Sequence, residues 1–240
     1  MYQKDEQVTE LNRYRIGRSL SEIKAEDGPQ GDISARVNRN KCYFFFKRLT
    51  DIVVSLFGLI VLFPLFLVIS CMIFFEDFGP ILYKQKRTGL NGEHFTMYKF
   101  RTMKRGADKK QAAMRKLNEM NGPAFKCKND PRVTKFGHFL RKSSLDELPQ
   151  LMNCLIGNMS LVGPRPLPCE EQEACNAYQA QRLLIKPGIT CTWQATGRSD
   201  IHFDEWMEMD LKYVQNCGFF TDWSILIMTV GAVLGEKGAY

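Results

Sequence analysis

The chain has 240 residues, of which 45% are hydrophobic and 25% charged, and its formal net charge is +7. This length suffices for one large domain or two small ones, with a sizeable core in either case. The eight cysteines include no C-x-x-C pair, and none of the three histidines stands at zinc-ligand spacing. These features argue against a disulfide framework and a zinc site, and they favour reduced thiols in a cytoplasmic setting.

The positive charge is concentrated in the middle of the chain. Residues 84–142 contain 17 Lys and Arg against 4 Asp and Glu, whereas residues 164–210 contain 4 basic and 8 acidic side chains. A basic region of this size indicates an anionic partner, such as the phosphates of a substrate, an anionic membrane surface or a nucleic acid.

The first 40 residues are polar and of mixed charge, and they lack the apolar core of a signal peptide. This composition predicts a flexible tail. It indicates no function for the tail.

Residues 52–75 form a run of 24 uncharged and mostly apolar residues. At about 1.5 Å per residue, a helix of this length can cross a hydrocarbon core of about 30 Å. Basic residues flank the run at both ends, at 41–48 and at 84–87, and a single span leaves only one end on the cytoplasmic side. Pro64, near the middle, favours a bend. Two interpretations remain open: a re-entrant helix that breaks at Pro64, and a plain span that tolerates the proline.

Three further segments have recognisable local patterns. Two β-prone runs, 81–83 and 95–100, are separated by the turn residues 89–92, which predicts a β-hairpin. The composition that follows, up to about Met120, predicts an exposed helix. The apolar stretch 223–234 is too short to span a bilayer, so it predicts a core helix or an interfacial one.

Asp146 and Glu147 lie in the run S-L-D-E-L-P-Q at 144–150. Ser144 and Glu147 have the spacing of a capping box, and acidic residues suit the first turn of a helix. A helix that began there would also offer free N–H groups to a phosphate. Pro149 would then fall at the fifth helical position and remove a hydrogen bond, so the helix begins later or kinks. The other interpretation is a catalytic carboxylate pair, and the local pattern leaves both open.

Two arginines lie on stiff loops after this run. Arg165 stands between Pro164 and Pro166, and Arg198 follows a glycine. An arginine held on a rigid loop loses little freedom on binding, and its planar fork suits phosphate oxygens. Taken singly, each arginine is better explained by a surface salt bridge.

Several segments in order resemble the bacterial sugar transferases, the monotopic polyprenyl-phosphate phosphoglycosyltransferases. The resemblance runs from about Lys47 to Gly235. The segments that carry it are K-R-L-T-D at 47–51, Y-K-F-R-T-M at 98–103, R-K-S-S-L-D-E-L-P-Q at 141–150, N-x-x-x-G-x-M-S-L-V-G-P-R-P at 153–166, P-G-I-T at 187–190 and D-L-K-Y-V at 210–214.

The resemblance implies an α+β, mainly helical, monotopic membrane protein. Its expected parts are a re-entrant helix-break-helix anchor, a short β-hairpin and interfacial amphipathic helices. The expected division is a flexible tail at 1–40, the re-entrant membrane helix at 41–78 with its break at Pro64, and a cytoplasmic catalytic domain at 79–240 with membrane-associated helices. The location that it implies is the bacterial inner membrane, with the catalytic domain on the cytoplasmic face.

The resemblance also implies a reaction: transfer of a sugar 1-phosphate from a UDP-sugar to polyprenyl (undecaprenyl) phosphate, with release of UMP, as the first membrane-committed step of glycan synthesis. Asp146 would be the nucleophile that carries a covalent phosphosugar, and Glu147 would be a ligand of Mg²⁺. The expected substrate-binding residues are Arg141, Pro164, Arg165, Pro166 and Arg198.

The chain departs from the family pattern at three places. Phe63-Pro64 stands where members often carry Ser-Pro, and Asn158 replaces an aspartate. The usual Gly-Trp-Ala-Gln is Cys-Thr-Trp-Gln at 191–194, so no role is carried over to Trp193. None of these changes touches the carboxylate pair or the arginines.

Two other hypotheses remain. The chain could be a membrane-anchored basic adaptor that binds anionic lipid or nucleic acid without catalysis, or an enzyme with the same carboxylates on a single span. The basic region contains no recognised nucleic-acid motif, so nucleic acid is not expected as a partner. The expected partners are the UDP-sugar, polyprenyl phosphate and membrane lipids. The sequence leaves open the sugar, a homodimer and contacts with downstream glycosyltransferases.

Overall fold

The computed structural model describes residues 33–107, 118, 122–125, 127, 130–196 and 201–234. Three predictions fall wholly or largely on other residues. These are the tail at 1–32, most of the helix expected up to about Met120, and Arg198, and they lie outside the described residues.

Two helices, α1 (Lys41–Val61) and α2 (Phe63–Asp77), form a pair that is bent by 62°. The break lies at Leu62, and Pro64 occupies the first turn of α2. A proline is tolerated there because the first N–H groups of a helix have no partner within that helix. The bend expected near Pro64 is therefore confirmed.

No single helix in the described part of the chain is both long and apolar enough to cross a membrane. The bent pair α1–α2 meets the requirements of length and composition when its two helices are taken together. Large apolar side chains on both helices are exposed, among them Phe57 at 67% and Phe75 at 68%.

Next comes the predicted hairpin, formed by β1 (Leu82–Thr88) and β2 (His94–Phe100). The strands are antiparallel, with Leu82 opposite Phe100 and Thr88 opposite His94. Asn91 and Gly92 both have positive φ in the turn, a conformation that Asn and Gly adopt at the least cost. The hairpin prediction is confirmed.

The remaining elements are short helices, one parallel strand pair and two longer C-terminal helices. In chain order they are α3 (Lys135–Lys142), a 3₁₀ turn (Leu145–Glu147), α4 (Gln150–Ile156), β3 (Ser160–Val162), α5 (Cys169–Glu173), α6 (Ala177–Ala180), β4 (Gly188–Thr190), α7 (Thr192–Thr196), α8 (Phe203–Asn216) and α9 (Phe219–Leu234). Strands β3 and β4 pair in parallel. The fold is therefore α+β and mainly helical, as expected.

The main core lies where β3 and α8 meet α9. It contains the buried side chains of Val162, Leu211, Val214 and Ile225. Ile33 belongs to the same core: it is 4% exposed and its backbone N–H donates to a glutamine side chain at 2.7 Å. The end of the segment that was expected to be a flexible tail therefore packs on the folded body, because it offers one apolar side chain to the core.

The basic segment at the start of α1 fastens this helix to the rest of the chain. Arg48 donates to the carbonyls of Cys154 (2.5 Å) and Leu155 (2.8 Å), which lie in the last turn of α4. Asp51 accepts a hydrogen bond from the backbone N–H of Leu161 in β3 at 2.8 Å. Arg48 thus satisfies carbonyls that have no partner within α4, and Asp51 does the same for a strand N–H.

A second contact joins α1 to the C-terminal helices. Asp222, in the first turn of α9, accepts hydrogen bonds from Tyr43 (2.8 Å), Lys47 (2.6 Å) and Tyr213 (2.6 Å). Its carboxylate is 12% exposed, so the ion pair with Lys47 is shielded from water. Helices α1, α8 and α9 therefore meet at one carboxylate.

Candidate functional site

Asp146 and Glu147 lie in the 3₁₀ turn, which we call the dyad turn. Ser144, just before it, has a φ of 58° and its side chain caps nothing; the backbone N–H of Glu147 bonds to the Ser144 carbonyl at 3.2 Å instead. Helix α4 begins only after Pro149. The capping-box interpretation is therefore wrong, and the later helix start that Pro149 implied is confirmed. The physical reason is Pro149, which has no N–H and interrupts the helical ladder.

The dyad turn rests on the bent helix pair. Leu145 and Leu148, which flank the two carboxylates, belong to a hydrophobic cluster that includes Ile69 and Ile73 of α2 and Phe100 of β2. Both isoleucines are at most 3% exposed. The carboxylates are thus carried on a turn whose apolar side chains are packed against the second half of the bent pair.

Glu147 is held by two basic side chains. Lys99 Nζ lies 2.8 Å from Glu147 Oε1, and Arg165 contacts both carboxylate oxygens, at 2.5 Å and 3.1 Å. Burial alone would raise the pKa of Glu147, but Arg165 and Lys99 outweigh burial and hold this pKa well below its usual range. Glu147 is therefore ionised and fixed in position.

Asp146 differs from Glu147 both in its hydrogen bonds and in the direction of its pKa shift. It is 8% exposed, and its carboxylate accepts no hydrogen bond from any residue that the structure describes. Burial raises the pKa of Asp146 to about 6; the positive charge of Lys99 acts against this rise and the negative charge of Glu147 adds to it. Asp146 is thus a carboxylate at neutral pH whose oxygens have no hydrogen-bond partner among the described residues.

Arg141 approaches Asp146 from α3. Its Nε donates to Thr102 Oγ1 at 3.0 Å, which fixes the side chain near the dyad turn. Burial lowers the pKa of Arg141, while the nearby carboxylates of Asp146 and Asp130 act against this shift. The five-residue separation of Arg141 and Asp146 therefore does bring opposite charges together.

The loop that carries Arg165 is tied to the P-G-I-T segment. Gly163 N–H donates to the Thr190 carbonyl, and Gly188 N–H donates to the Pro164 carbonyl, both at 3.0 Å. A side chain at Gly188 would overlap the backbone of Gly163, so glycine is required for this close approach. Pro164 and Pro166 are both buried on either side of Arg165. Two of the recognised motifs thus form one rigid unit.

A buried ion pair lies behind this loop. Arg182 is 2% and Asp210 1% exposed, and their side chains are joined by hydrogen bonds of 2.5 Å and 3.0 Å. Arg182 also donates to the backbone carbonyl of Arg165 at 2.5 Å. The pair therefore fixes the backbone from which Arg165 reaches Glu147.

Sequence reasoning brought together Asp146, Glu147, Arg141 and Arg165, and the structure places all four at one site. Sequence reasoning did not identify Lys99, although the alternating pattern of β2 places it on the buried face. Phe95, Met97 and Lys99 share one face of the strand, and the first two are buried. A lysine on the buried face of a strand requires a charged partner, which here is Glu147.

Glu147 has the surroundings that a ligand of Mg²⁺ requires. The described residues contain no group of three or more His, Cys, Asp or Glu that would hold a metal ion without other ligands. Glu147 Oε2 accepts one hydrogen bond, from Arg165 at 3.1 Å, so a lone pair remains for a cation. Mg²⁺ is often bound by one or two carboxylates together with water and substrate phosphates. The residues present fit this kind of site.

Comparisons with known proteins agree with this arrangement. The model of the family described as bacterial sugar transferase matches residues 42–236. Galactosyl transferase CpsE of Streptococcus agalactiae is 42% identical over 196 residues, which cover 80% of this chain and 43% of that protein. Exopolysaccharide production protein ExoY of Sinorhizobium fredii is 39% identical over 201 residues, which cover 81% and 88%. Undecaprenyl-phosphate galactose phosphotransferase of Salmonella typhimurium is 40% identical over 218 residues, which cover 88% and 44%.

The chain thus spans less than half of the first and third relatives, and most of ExoY. The matched region contains the bent helix pair, the dyad turn and the Arg165 loop. The chain is therefore a transferase that belongs to the bacterial sugar transferase family.

Proposed function

We propose that this chain transfers a sugar 1-phosphate from a UDP-sugar to polyprenyl (undecaprenyl) phosphate and releases UMP, as the first membrane-committed step of a glycan pathway. Family membership supports the general reaction, and two relatives are named as undecaprenyl-phosphate sugar phosphotransferases. The observation that carries the proposal is the contrast between the adjacent carboxylates. Glu147 is held by two cations, whereas the oxygens of Asp146 accept no hydrogen bond from the part of the chain that the structure describes.

In the proposed first step, an oxygen of Asp146 attacks the β-phosphorus of the UDP-sugar. A bond forms between this oxygen and phosphorus, and the bond from that phosphorus to the bridging oxygen breaks. UMP leaves with the bridging oxygen and its electron pair. Lys99, Arg141 and Arg165 surround Asp146 and offset the negative charge of the diphosphate, without which one anion would not approach another.

In the second step, a phosphate oxygen of the polyprenyl phosphate attacks the same phosphorus. The bond between phosphorus and Asp146 breaks, the carboxylate is restored, and a polyprenyl diphosphate sugar is released. Dividing the transfer into two steps means that the soluble donor and the lipid acceptor need not bind together.

Glu147 is the residue proposed to bind Mg²⁺, which when bound would neutralise phosphate charge. Because Glu147 Oε2 retains a lone pair, binding the ion does not require Lys99 to be displaced. We expect chelation to stop UMP release and added Mg²⁺ to restore it, as measured by UMP formation in purified protein. Full activity after chelation would contradict the assignment.

The nucleophile is tested by changing Asp146 to Asn in the same assay, with a panel of UDP-sugars and polyprenyl phosphate. We expect UMP release to fall by at least about 10³-fold, because an amide oxygen does not form the covalent intermediate. Asp204→Asn, an exposed acidic residue on α8, is the matched control and should behave as the parent protein. Retained UMP release in Asp146→Asn would remove Asp146 as the nucleophile.

The panel also discriminates the non-catalytic alternative. If the parent protein releases no UMP from any donor and binds anionic vesicles with steep salt dependence, the chain is the basic adaptor. If one donor is turned over, the panel identifies the sugar.

The raised pKa of Asp146 predicts how UMP release depends on pH. Since the nucleophile must be ionised, kcat/KM for the UDP-sugar should fall as the pH drops through about 6. Lys99→Met removes a cation that lowers the pKa of Asp146, so the acid limb should move to higher pH. Lys86→Met, on the other face of the hairpin, should leave the limb in place. A limb unchanged in Lys99→Met would contradict this assignment.

We also propose that α1 and α2, within residues 41–78, form a re-entrant anchor in the bacterial inner membrane, with residues 79–240 as the catalytic domain on the cytoplasmic face. The 62° bend at Leu62 and the basic residues at both ends of the pair support this topology. Helix α9 is proposed as an interfacial helix, because Phe220 and Ile227 are 87% and 69% exposed. The dyad turn would then lie where a soluble donor meets a lipid acceptor.

The topology is tested with Cys42, an exposed thiol at the start of α1. A re-entrant anchor keeps Cys42 on the same side as the catalytic domain. We expect an impermeant maleimide to label it only after spheroplasts are permeabilised, as read by peptide mass spectrometry. Lys104→Cys, exposed on the catalytic domain, is the reference thiol. Labelling of Cys42 but not of the reference thiol in intact spheroplasts would establish a single span instead.

A further inference from the structure

Arg87, on β1, lies beside the Arg165 loop and donates hydrogen bonds only to neutral groups. Its Nη1 donates to the Pro166 carbonyl at 2.8 Å and its Nη2 to Gln85 Oε1 at 2.7 Å. Its Nε is buried and has no hydrogen-bond partner among the described residues. A buried donor without an acceptor is destabilising, so an acceptor is expected to reach it in some state of the protein.

The charges around Arg87 also indicate that it binds an acceptor from outside the described residues. Both groups that accept its hydrogen bonds are neutral, and within the described residues no carboxylate forms an ion pair with it. Burial and the neighbouring positive charge of Arg165 lower the pKa of Arg87 to about 10, and Glu171 and Glu147 only partly oppose this. Two guanidinium groups are thus held near each other, and the nearer carboxylate of the dyad, Glu147, is already paired with Arg165.

The hairpin explains how Arg87 comes to face the site. In the antiparallel register Arg87 lies opposite Phe95, and Lys99 lies opposite Tyr83, so Arg87 and Lys99 share one face. Lys86, which precedes Arg87, lies on the other face and is exposed. Two adjacent basic residues of one strand are therefore in different environments.

Arg87 adjoins the loop that carries Arg165, because its Nη1 donates to the carbonyl of the following residue, Pro166. The charges of Arg165 and Glu147 both act on Arg87. In phosphoryl transfer the attacking and leaving oxygens are roughly in line, so the group that leaves from a phosphorus attacked by Asp146 departs away from Asp146. A cation beside Arg165 whose hydrogen bonds go to neutral groups and not to Asp146 suits such a leaving group.

We propose that Arg87, beside Arg165, binds the phosphate of the departing nucleoside monophosphate. The proposal rests on the proposed function. Arg87 would supply charge where the leaving oxygen becomes negative, and the orphaned Nε would find its acceptor in a phosphate oxygen. In the second half-reaction the acceptor phosphate attacks in line from the side that UMP has left, so Arg87 meets a phosphate in both half-reactions.

The two half-reactions can be separated experimentally. In Arg87→Gln, we expect the rate of UMP release in the absence of acceptor to fall about 10- to 100-fold, and product inhibition by UMP to weaken by a similar factor. Transfer from the preformed covalent intermediate to polyprenyl phosphate should also slow, since the acceptor phosphate attacks in line from the side that UMP has left. Arg87→Lys, which keeps the charge, should recover part of the UMP affinity.

Lys86→Gln is the matched control, because it removes one positive charge from the same strand on the other face. It should match the parent protein in both half-reactions. If Arg87 only supports the Pro166 carbonyl, Arg87→Gln will leave product inhibition by UMP unchanged, whatever its effect on the rates. That result would overturn the proposal.

Failure of the proposed function is distinguishable from failure of this inference. If the parent protein releases no UMP from any donor, calorimetric titration with UMP and with inorganic pyrophosphate still tests the anion site. Binding by the parent protein that is lost in Arg87→Gln supports the site, whereas equal binding by both proteins, or none by either, overturns it.

Discussion

The structure of the site depends on the burial of Glu147 between Lys99 and Arg165. A carboxylate that loses water must gain partners of opposite charge, and here the partners come from two distant segments, the β-hairpin and the proline-flanked loop. The ion pairs therefore determine where hairpin, dyad turn and loop meet. Lys99 and Arg165 are thereby paired with Glu147, and the adjacent Asp146 is buried with no hydrogen-bond partner in the described ranges. Two neighbouring carboxylates acquire different chemistry in this way.

The rigidity of the Arg165 loop has a second source in the buried pair Arg182–Asp210. Removing one member of such a pair leaves an uncompensated buried charge, at a cost of about 3–5 kcal/mol. Arg182 uses a remaining N–H group to hold the Arg165 carbonyl, and Gly188 allows the neighbouring segment to approach the loop. The buried pair Arg182–Asp210 thus also limits the movement of Arg165 in the site.

The bent helix pair also helps to position the site. Leu145 and Leu148 rest on α2, while Arg48 and Asp51 of α1 bond to the end of α4 and to β3, the elements between the dyad turn and the Arg165 loop. The position of the carboxylates is therefore coupled to the position of the apolar helices. For a reaction between a soluble donor and a lipid acceptor, this coupling would keep the site at the height of the membrane surface.

Much of the local structure follows from short-range patterns in the sequence. Alternation and an Asn-Gly turn predict the hairpin, apolar length and Pro64 predict the bent pair, and two prolines predict a stiff loop at Arg165. The carboxylate pair and Arg141 were also recognised from the residues and the family resemblance. These features could be predicted because their causes lie within a few residues of one another.

The capping box expected at Ser144 does not form, because Pro149 interrupts the helix that Ser144 would have capped. Lys99 and Arg87 were missed for a different reason: a basic side chain on a strand is unremarkable until the burial of its face and its partners are known. The sequence by itself determined the bent apolar pair, the hairpin and the identity of the two carboxylates. Only the tertiary structure decided that Glu147 is the carboxylate paired with Lys99 and Arg165, because burial and charge at the site are set by segments far apart in the chain.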